Sequence, residues 1–344
     1  MLGAICGDIV GSIYEWEPIK TKEFELFTDE KYFTDDSVMT VAVGKALLSI
    51  TEYTEENVKN AVIQSMKTFG NKYNDVGYGG MFRRWLFLKD EGKKPYNSCG
   101  NGSAMRTSAI GWMFNSLEQT RQVACWVAEV THNHPEGIKG AEAVSSAIYL
   151  ARNGYTKKEI QDYVTKEFYS LNATCNQIRP LYKFDATCQG TVPQAIQAFL
   201  EGTSFEDVVR NAISLGGDSD TLTCIAASMA EAAYDIPVEI KNKICTYLPE
   251  EFISILKNFY ERDFIKHPNP YDEELVFAFL EDEDFSQNEN IKKESRMIIK
   301  LKDMLRTWTA KTGLLFHTIL LKKEDCMKSR EQVLHEKSYE KERE

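Results

Sequence analysis

Phe33-Thr34-Asp35-Asp36-Ser37, near the start of the chain, and Gly216-Gly217-Asp218-Ser219-Asp220-Thr221, far downstream, carry the same chemistry twice. Each sets adjacent or alternate carboxylates beside a threonine, where a polar turn runs into an apolar segment. After the first stretch, Val38, Met39, Val41, Ala42, Ala46, Leu47 and Ile50 follow helical spacing; after the second, Leu222, Ile225, Ala226, Met229 and Ala233 do the same. The pattern predicts two buried helices that both open on acids. Taken singly, each stretch is accounted for by helix capping, because aspartate and threonine are good N-caps and acids suit the positive end of a helix dipole. Taken together they predict more. If the stretches meet, four carboxylates and two threonine hydroxyls share one pocket, and each carboxylate pair at ~4 Å repels by ~4 kcal/mol at an effective dielectric near 20. Neither stretch holds a lysine or arginine. Oxygen-only ligands suit Mg²⁺, Mn²⁺ or Ca²⁺ rather than zinc, so a one- or two-metal site is expected.

Outward from these stretches the chain reads as helix after helix. Residues 2 to 15 place glycines at 3, 7 and 11, a smooth stripe for close helix packing. Each glycine costs ~1 kcal/mol against alanine in a helix, a cost that close contact has to offset. Asp8 and Glu15 lie seven apart, two turns along one face, so Glu15 is placed to reach a central site, while Asp8 reads equally well as solvated. Pro18 rules out a continuous helix through the polar, aromatic connection from 16 to 33. Helical spacing returns over 55 to 69, 81 to 90, 138 to 152, 156 to 170, 193 to 201 and 204 to 214, whereas 171 to 193 is mixed and polar. Convincing strand alternation is scarce, and the expected fold class is all-α.

Three connections carry chemical interest. The glycine-rich Asp75 to Gly80 segment fits a pocket lining or a helix connection needing positive φ. Residues 97 to 106, Asn-Ser-Cys-Gly-Asn-Gly-Ser-Ala-Met-Arg, form a small-residue loop whose backbone N–H groups are suited to phosphate or ribose oxygens. The loop matches neither the P-loop nor the dinucleotide fingerprint. His132 and His134 have zinc-like spacing without an evident third ligand, so helix-start hydrogen bonding or substrate contact is the favoured reading.

Composition narrows the function classes. The net charge of −11 over 344 residues argues against a general nucleic-acid binder. Eight cysteines lack the close paired spacing of a zinc site or a disulfide framework, which fits a reducing compartment. With no basic leader and no run of membrane-spanning length, a cytoplasmic protein is expected. Beyond residue 284 the charge turns basic, and Met297, Ile298, Leu301, Met304, Leu305 and Trp308 share one helical face. The chain is therefore expected to divide into a main domain over 1–284 and a basic, partly amphipathic helical extension over 285–344, with a frayed polar end.

Gly-Asp-Ile-Val-Gly-Ser-Ile-Tyr-Glu15, Phe-Thr-Asp-Asp-Ser37, Gly-Asn-Gly-Ser-Ala-Met-Arg106, His-Asn-His-Pro135 and Leu-Gly-Gly-Asp-Ser-Asp-Thr221 occur in the order that marks the ADP-ribosylglycohydrolase family. The chain resembles that family, which includes dinitrogenase-reductase-activating glycohydrolases and ADP-ribosyl-acceptor hydrolases, over roughly residues 1 to 265. The resemblance implies an all-α orthogonal fold and a centre of two Mg²⁺ ions, with Mn²⁺ as a substitute, held by Thr34, Asp35, Asp36, Asp218, Asp220 and Thr221. It puts Glu15 beside the metals as a gate or acid/base group. Gly100, Asn101, Gly102 and Ser103 would approach the diphosphate and distal ribose, and His132 or His134 would line the cleft. Where Ser219 stands the family more often has threonine, a change that leaves the carboxylates untouched.

The function so implied is hydrolysis of the bond between ADP-ribose and an acceptor, on an ADP-ribosylated protein or a small ADP-ribose conjugate, by a monomer. Cleavage at the ribose develops oxocarbenium character, and Asp35 or Glu15 is the expected general base or acid. Two rival classes stay open: a non-catalytic ADP-ribose-binding or structural relative, and a metal-dependent nucleotide phosphoester hydrolase.

Overall fold

The computed structural model describes residues 1–87 and 94–262. Helices form over Leu2–Gly11 (α1), Asp35–Leu48 (α2), Glu55–Lys72 (α3), Gly80–Phe87 (α4) and Gly102–Met105 (α5). They continue through Ser108–Met113 (α6), Leu117–Glu129 (α7), Pro135–Arg152 (α8), Lys157–Glu167 (α9) and Cys175–Ile178 (α10). Cys188–Glu201 (α11), Phe205–Leu215 (α12), Ser219–Ala233 (α13), Val238–Cys245 (α14) and Glu250–Tyr260 (α15) complete the set. Among the described residues there is no strand, only an antiparallel bridge between Gly100 and Thr187, and the fold is all-α. The expected basic extension over 285–344, and the last residues of the helix expected over 81 to 90, lie outside the described residues.

The glycine stripe explains the centre of the fold. α1 is buried along its whole length and lies against α13, every residue of which from Ser219 to Ala232 is buried. A Cβ on Gly3 would stand 2.4 Å from the Ala227 carbonyl oxygen, on Gly7 2.2 Å from the Thr223 carbonyl oxygen, and on Gly11 2.5 Å from the Asp220 Cα. Backbone therefore touches backbone over three turns, and the propensity cost of three glycines is offset by contact no other residue permits. α8, α11 and α12 close around the rest of α13. At the far end of the pair, Glu231 of α13 accepts from the Gly3 N–H at 2.9 Å, and the Tyr260 hydroxyl accepts from the Leu2 N–H at 2.9 Å. These side chains satisfy first-turn donors of α1 that have no partner within the helix.

α2 starts where the pattern places it. Thr34 is its N-cap, accepting from the Asp36 N–H at 3.3 Å, and Val38, Met39, Val41, Ala42, Ala46 and Leu47 are buried. α11 begins at Cys188, five residues ahead of the expected start, with Pro193 inside it. Pro193 is the sixth residue of this helix, past its first turn, so the Gln189 carbonyl has no N–H four residues on to accept from.

Candidate metal centre and substrate cleft

The first acidic turn is held from below by Asp8. This carboxylate, wholly buried on α1, accepts from the Thr34 N–H at 2.9 Å, the Thr34 hydroxyl at 2.6 Å, the Ser37 N–H at 3.0 Å and the Ser37 hydroxyl. Three of these donors fall on Oδ2 and one on Oδ1, and together they fix the turn from which Asp35 and Asp36 project. Asp35 is tied through its own N–H to the Val76 carbonyl at 2.8 Å.

The second acidic turn is shaped by two glycines and a lysine. Gly216 and Gly217 have φ of 70° and 79°, the left-handed region that side chains rarely adopt. The Lys20 ammonium donates to the carbonyls of Leu215 and, at 2.8 Å, Tyr182, while the Tyr182 ring lies where a Cβ on Gly217 would be, 2.4 Å from its Cε1. Beyond them Asp218 takes the N-cap position of α13 without making a side-chain capping bond, which leaves its carboxylate free to point elsewhere. It accepts from the Asn101 amide at 2.7 Å. Asp220 accepts from the Thr221 N–H at 2.9 Å, and the Thr221 hydroxyl donates to Asp36 Oδ2 at 3.2 Å, joining the two turns.

Because α1 and α13 touch, these turns converge. Asp8, Asp36 and Asp220 offer oxygens within 4.8 Å of one another, and so do Glu15, Asp218 and Asp220. At such distances each ionised pair repels by roughly 3–4 kcal/mol at an effective dielectric near 20. Among the described residues no ion pair reaches any of these carboxylates. Burial, then mutual repulsion, holds Asp35, Asp36 and Asp220 well above the usual carboxylate range; burial also raises Asp8 and Asp218. Glu15, half-buried beside Asp218 and Asp8, is raised to about 7 by desolvation and then by their charge. One oxygen of this set, Asp36 Oδ1, is buried without any hydrogen-bond partner. Crowded oxygens, an orphan acceptor and no protein cation fit a hard divalent cation.

The cluster floors a cleft of about 450 Å³, within the size range of small-molecule sites. Its walls include Glu15, Trp16, Asp75 to Gly77, Ser98, Gly100, Asn101, Gly102, His132 and Phe184. His132 is buried, its Nδ1 2.7 Å from the Thr131 hydroxyl. Burial, and then the nearby Arg106 guanidinium, hold its pKa well below the ordinary value, so it is neutral.

The structure thus brings Thr34, Asp35, Asp36, Asp218, Asp220, Thr221, Glu15, Gly100, Asn101, Gly102 and His132 to one cleft. Two expected residues are not among its lining. His134 is the N-cap of α8, its Nδ1 accepting from the Glu136 N–H at 3.1 Å, which is the helix-start role. Ser103 is buried behind the loop and donates to the Gly137 carbonyl at 2.7 Å. Sequence reasoning missed the buttress role of Asp8, whose partners lie 26 and 29 residues away. It also missed the bond from Asn101 to Asp218 and the aromatic mouth formed by Trp16, Tyr32 and Phe184, all more than half exposed.

Comparison with known proteins follows the same lines. The chain is 24% identical over 339 residues to mouse ADP-ribosylhydrolase ARH3, covering 77% of this chain and 88% of the relative. Human ADP-ribosylhydrolase ARH3 is 25% identical, covering 68% and 84% respectively. ADP-ribosylarginine hydrolase Tri1 of Pseudomonas putida (strain GB-1) is 22% identical, covering 69% and 70%. A solved chain titled ADP-ribosylglycohydrolase-related protein complex superposes with a TM-score of 0.52 at 19% identity, covering 81% of this chain and 96% of its own, and shares the fold. The model of the ADP-ribosylglycohydrolase family matches residues 1–264, and the chain belongs to that family.

Proposed function

We propose that this protein hydrolyses the glycosidic bond between ADP-ribose and an acceptor, on an ADP-ribosylated protein or a small ADP-ribose conjugate, and releases ADP-ribose. The observation that carries the reading is the convergence of two acid turns on the floor of a cleft with a glycine-lined wall. Thr34, Asp35, Asp36, Asp218, Asp220 and Thr221 would hold two Mg²⁺ ions, or Mn²⁺ in their place. Such ions, when bound, orient ribose hydroxyls and lower the pKa of a water.

The chain's own groups do the rest. Gly100 and Gly102 leave backbone open along the wall, where a Cβ on either would stand 3.4 Å from His132 Nε2. The neutral His132 ring completes that wall without adding charge. Asp35 enters from the first turn of α2 and Glu15 from the segment after α1, both only part-buried at the open side of the cluster. They are the two groups placed to take a proton from water or give one to the leaving group. Without a cation, burial and the charges of Asp218 and Asp8 raise the Glu15 carboxyl to about 7, and bound cations would lower it. Relatives named for ADP-ribose chemistry support this substrate class.

The test is product identity. Incubation with an ADP-ribosylated peptide should yield intact ADP-ribose and the unmodified peptide by mass spectrometry. AMP, or phosphate without ADP-ribose, would instead identify a phosphoester hydrolase.

A further inference from the structure

We infer that Thr191, on α11, is a positioning residue that fixes the orientation of Asp218 through the Asn101 side chain, so that the substrate-loop asparagine serves the metal centre. The inference rests on the cation reading above and adds residues that reading does not use.

The donors and acceptors leave one assignment. The Thr191 hydroxyl lies 2.7 Å from the Asp185 carbonyl oxygen, which only accepts, so the single hydroxyl proton of Thr191 is spent there. Its lone pairs are then what it presents to Asn101, and Asn101 Nδ2 donates to it at 3.0 Å. That choice fixes which way the amide lies. Its second N–H falls on Asp218 Oδ2 at 2.7 Å. Thr191 is 0% exposed, and Asn101 and Asp218 are each 6% exposed, so water is not a ready substitute in the relay. The backbone is pinned as well: the Asn101 N–H donates to the Ala186 carbonyl at 2.9 Å, and the Cys188 N–H to the Cys99 carbonyl at 2.8 Å. With Oδ2 held by the amide, Asp218 is confined to one orientation, and its remaining capacity faces Glu15 and Asp220. Groups that orient a ligand in this way are typically worth ~10–100-fold in metal affinity.

The experiment uses the full chain stripped with EDTA, and reads binding of Mn²⁺ by electron paramagnetic resonance, with Mg²⁺ binding by calorimetry. Thr191→Val keeps the shape and removes the acceptor. It should weaken Mn²⁺ binding by about 10-fold or more, while Thr191→Ser, which keeps the hydroxyl, binds as wild type. Asn101→Ala should weaken binding at least as much, and adding Thr191→Val to it should cost nothing further, because both act through one amide. Wild-type affinity in Thr191→Val, or losses that simply add in the double variant, would overturn the inference while leaving the cation reading intact. If Thr191→Val does not fold, Asn101→Ala alone decides: unchanged Mn²⁺ affinity refutes the relay. Failure of the wild-type protein to bind Mn²⁺ at all would overturn the cation reading and this inference with it.

Discussion

Gly7→Ala should cost this protein both stability and activity, although alanine is the better helix former. The new Cβ would stand 2.2 Å from the Thr223 carbonyl oxygen, 2.4 Å from its carbonyl carbon and 2.6 Å from the Cys224 nitrogen. All three are backbone atoms of α13, so no side-chain rotation relieves the clash. Restoring ordinary contact requires α1 and α13 to part by about 1 Å, an overpacking cost of roughly 1–3 kcal/mol. The alanine returns at most about 1 kcal/mol of helix propensity, so a net loss of up to about 2 kcal/mol is expected, or roughly 4–8 °C in Tm for a domain of this size. The larger effect is on function. Asp8, the next residue, holds the turn bearing Asp35 and Asp36, and α13 bears Asp218 and Asp220, so the parting separates the two halves of the centre. A displacement of that size costs on the order of 100-fold in activity. Gly44→Ala is the control: its Cβ is crowded by the end of the Met1 side chain, 2.6 Å from Cε, which can move aside, and otherwise stands at ordinary contact, 3.8 Å from the Ala109 Cβ. Thermal unfolding followed by circular dichroism, with ADP-ribose release measured alongside, reads both effects. A Gly7→Ala protein with wild-type Tm and wild-type turnover would refute the close-contact argument.

Other perturbations test separate links. Asp36→Asn should abolish stabilisation by Mg²⁺ and turnover while leaving the Tm of the EDTA-treated protein equal or higher, because a neutral amide replaces an acid whose ionisation burial and neighbouring acids penalise; a lower metal-free Tm would contradict this. The metal-free protein should lose stability as pH rises from about 4, where unfolded carboxyls ionise, toward and beyond 7. The folded state has raised carboxyl pKa values and so binds more protons than the unfolded state across that window. Urea midpoints at pH 5 and pH 8 should differ in EDTA and converge in saturating Mg²⁺. Gly217→Ala, which forces a side chain onto φ 79° and into the Tyr182 ring, should displace Asp218 and weaken divalent-cation binding measured by calorimetry.

What the sequence made legible was local or periodic. The acid turns, the helices they open and the glycine stripe are all patterns within about fifteen residues, and the structure contains each of them. The two readings of the acid turns, cap and cluster, turn out to be compatible: Thr34 caps α2 while Asp36 beside it turns an oxygen to the cluster. What stayed hidden depends on contacts between distant segments. Asp8 could be read as solvated because nothing within one helix shows that its acceptors meet Thr34 and Ser37. Asn101 reads as a ligand-facing loop residue until Asp218, 117 positions later, is seen beside it. His134 illustrates the opposite case, since a histidine just before Pro135 already occupies a helix-start position, and the structure gives it that role.

The most direct test of the central claim is release of free ADP-ribose from arginine-linked, serine-linked and O-acetyl-ADP-ribose substrates, each with excess Mg²⁺, with EDTA, and with Mg²⁺ restored after EDTA. Release from at least one substrate should vanish in EDTA and return with Mg²⁺. Release that persists undiminished in EDTA, or none from any substrate by a protein that binds Mg²⁺, would contradict that claim.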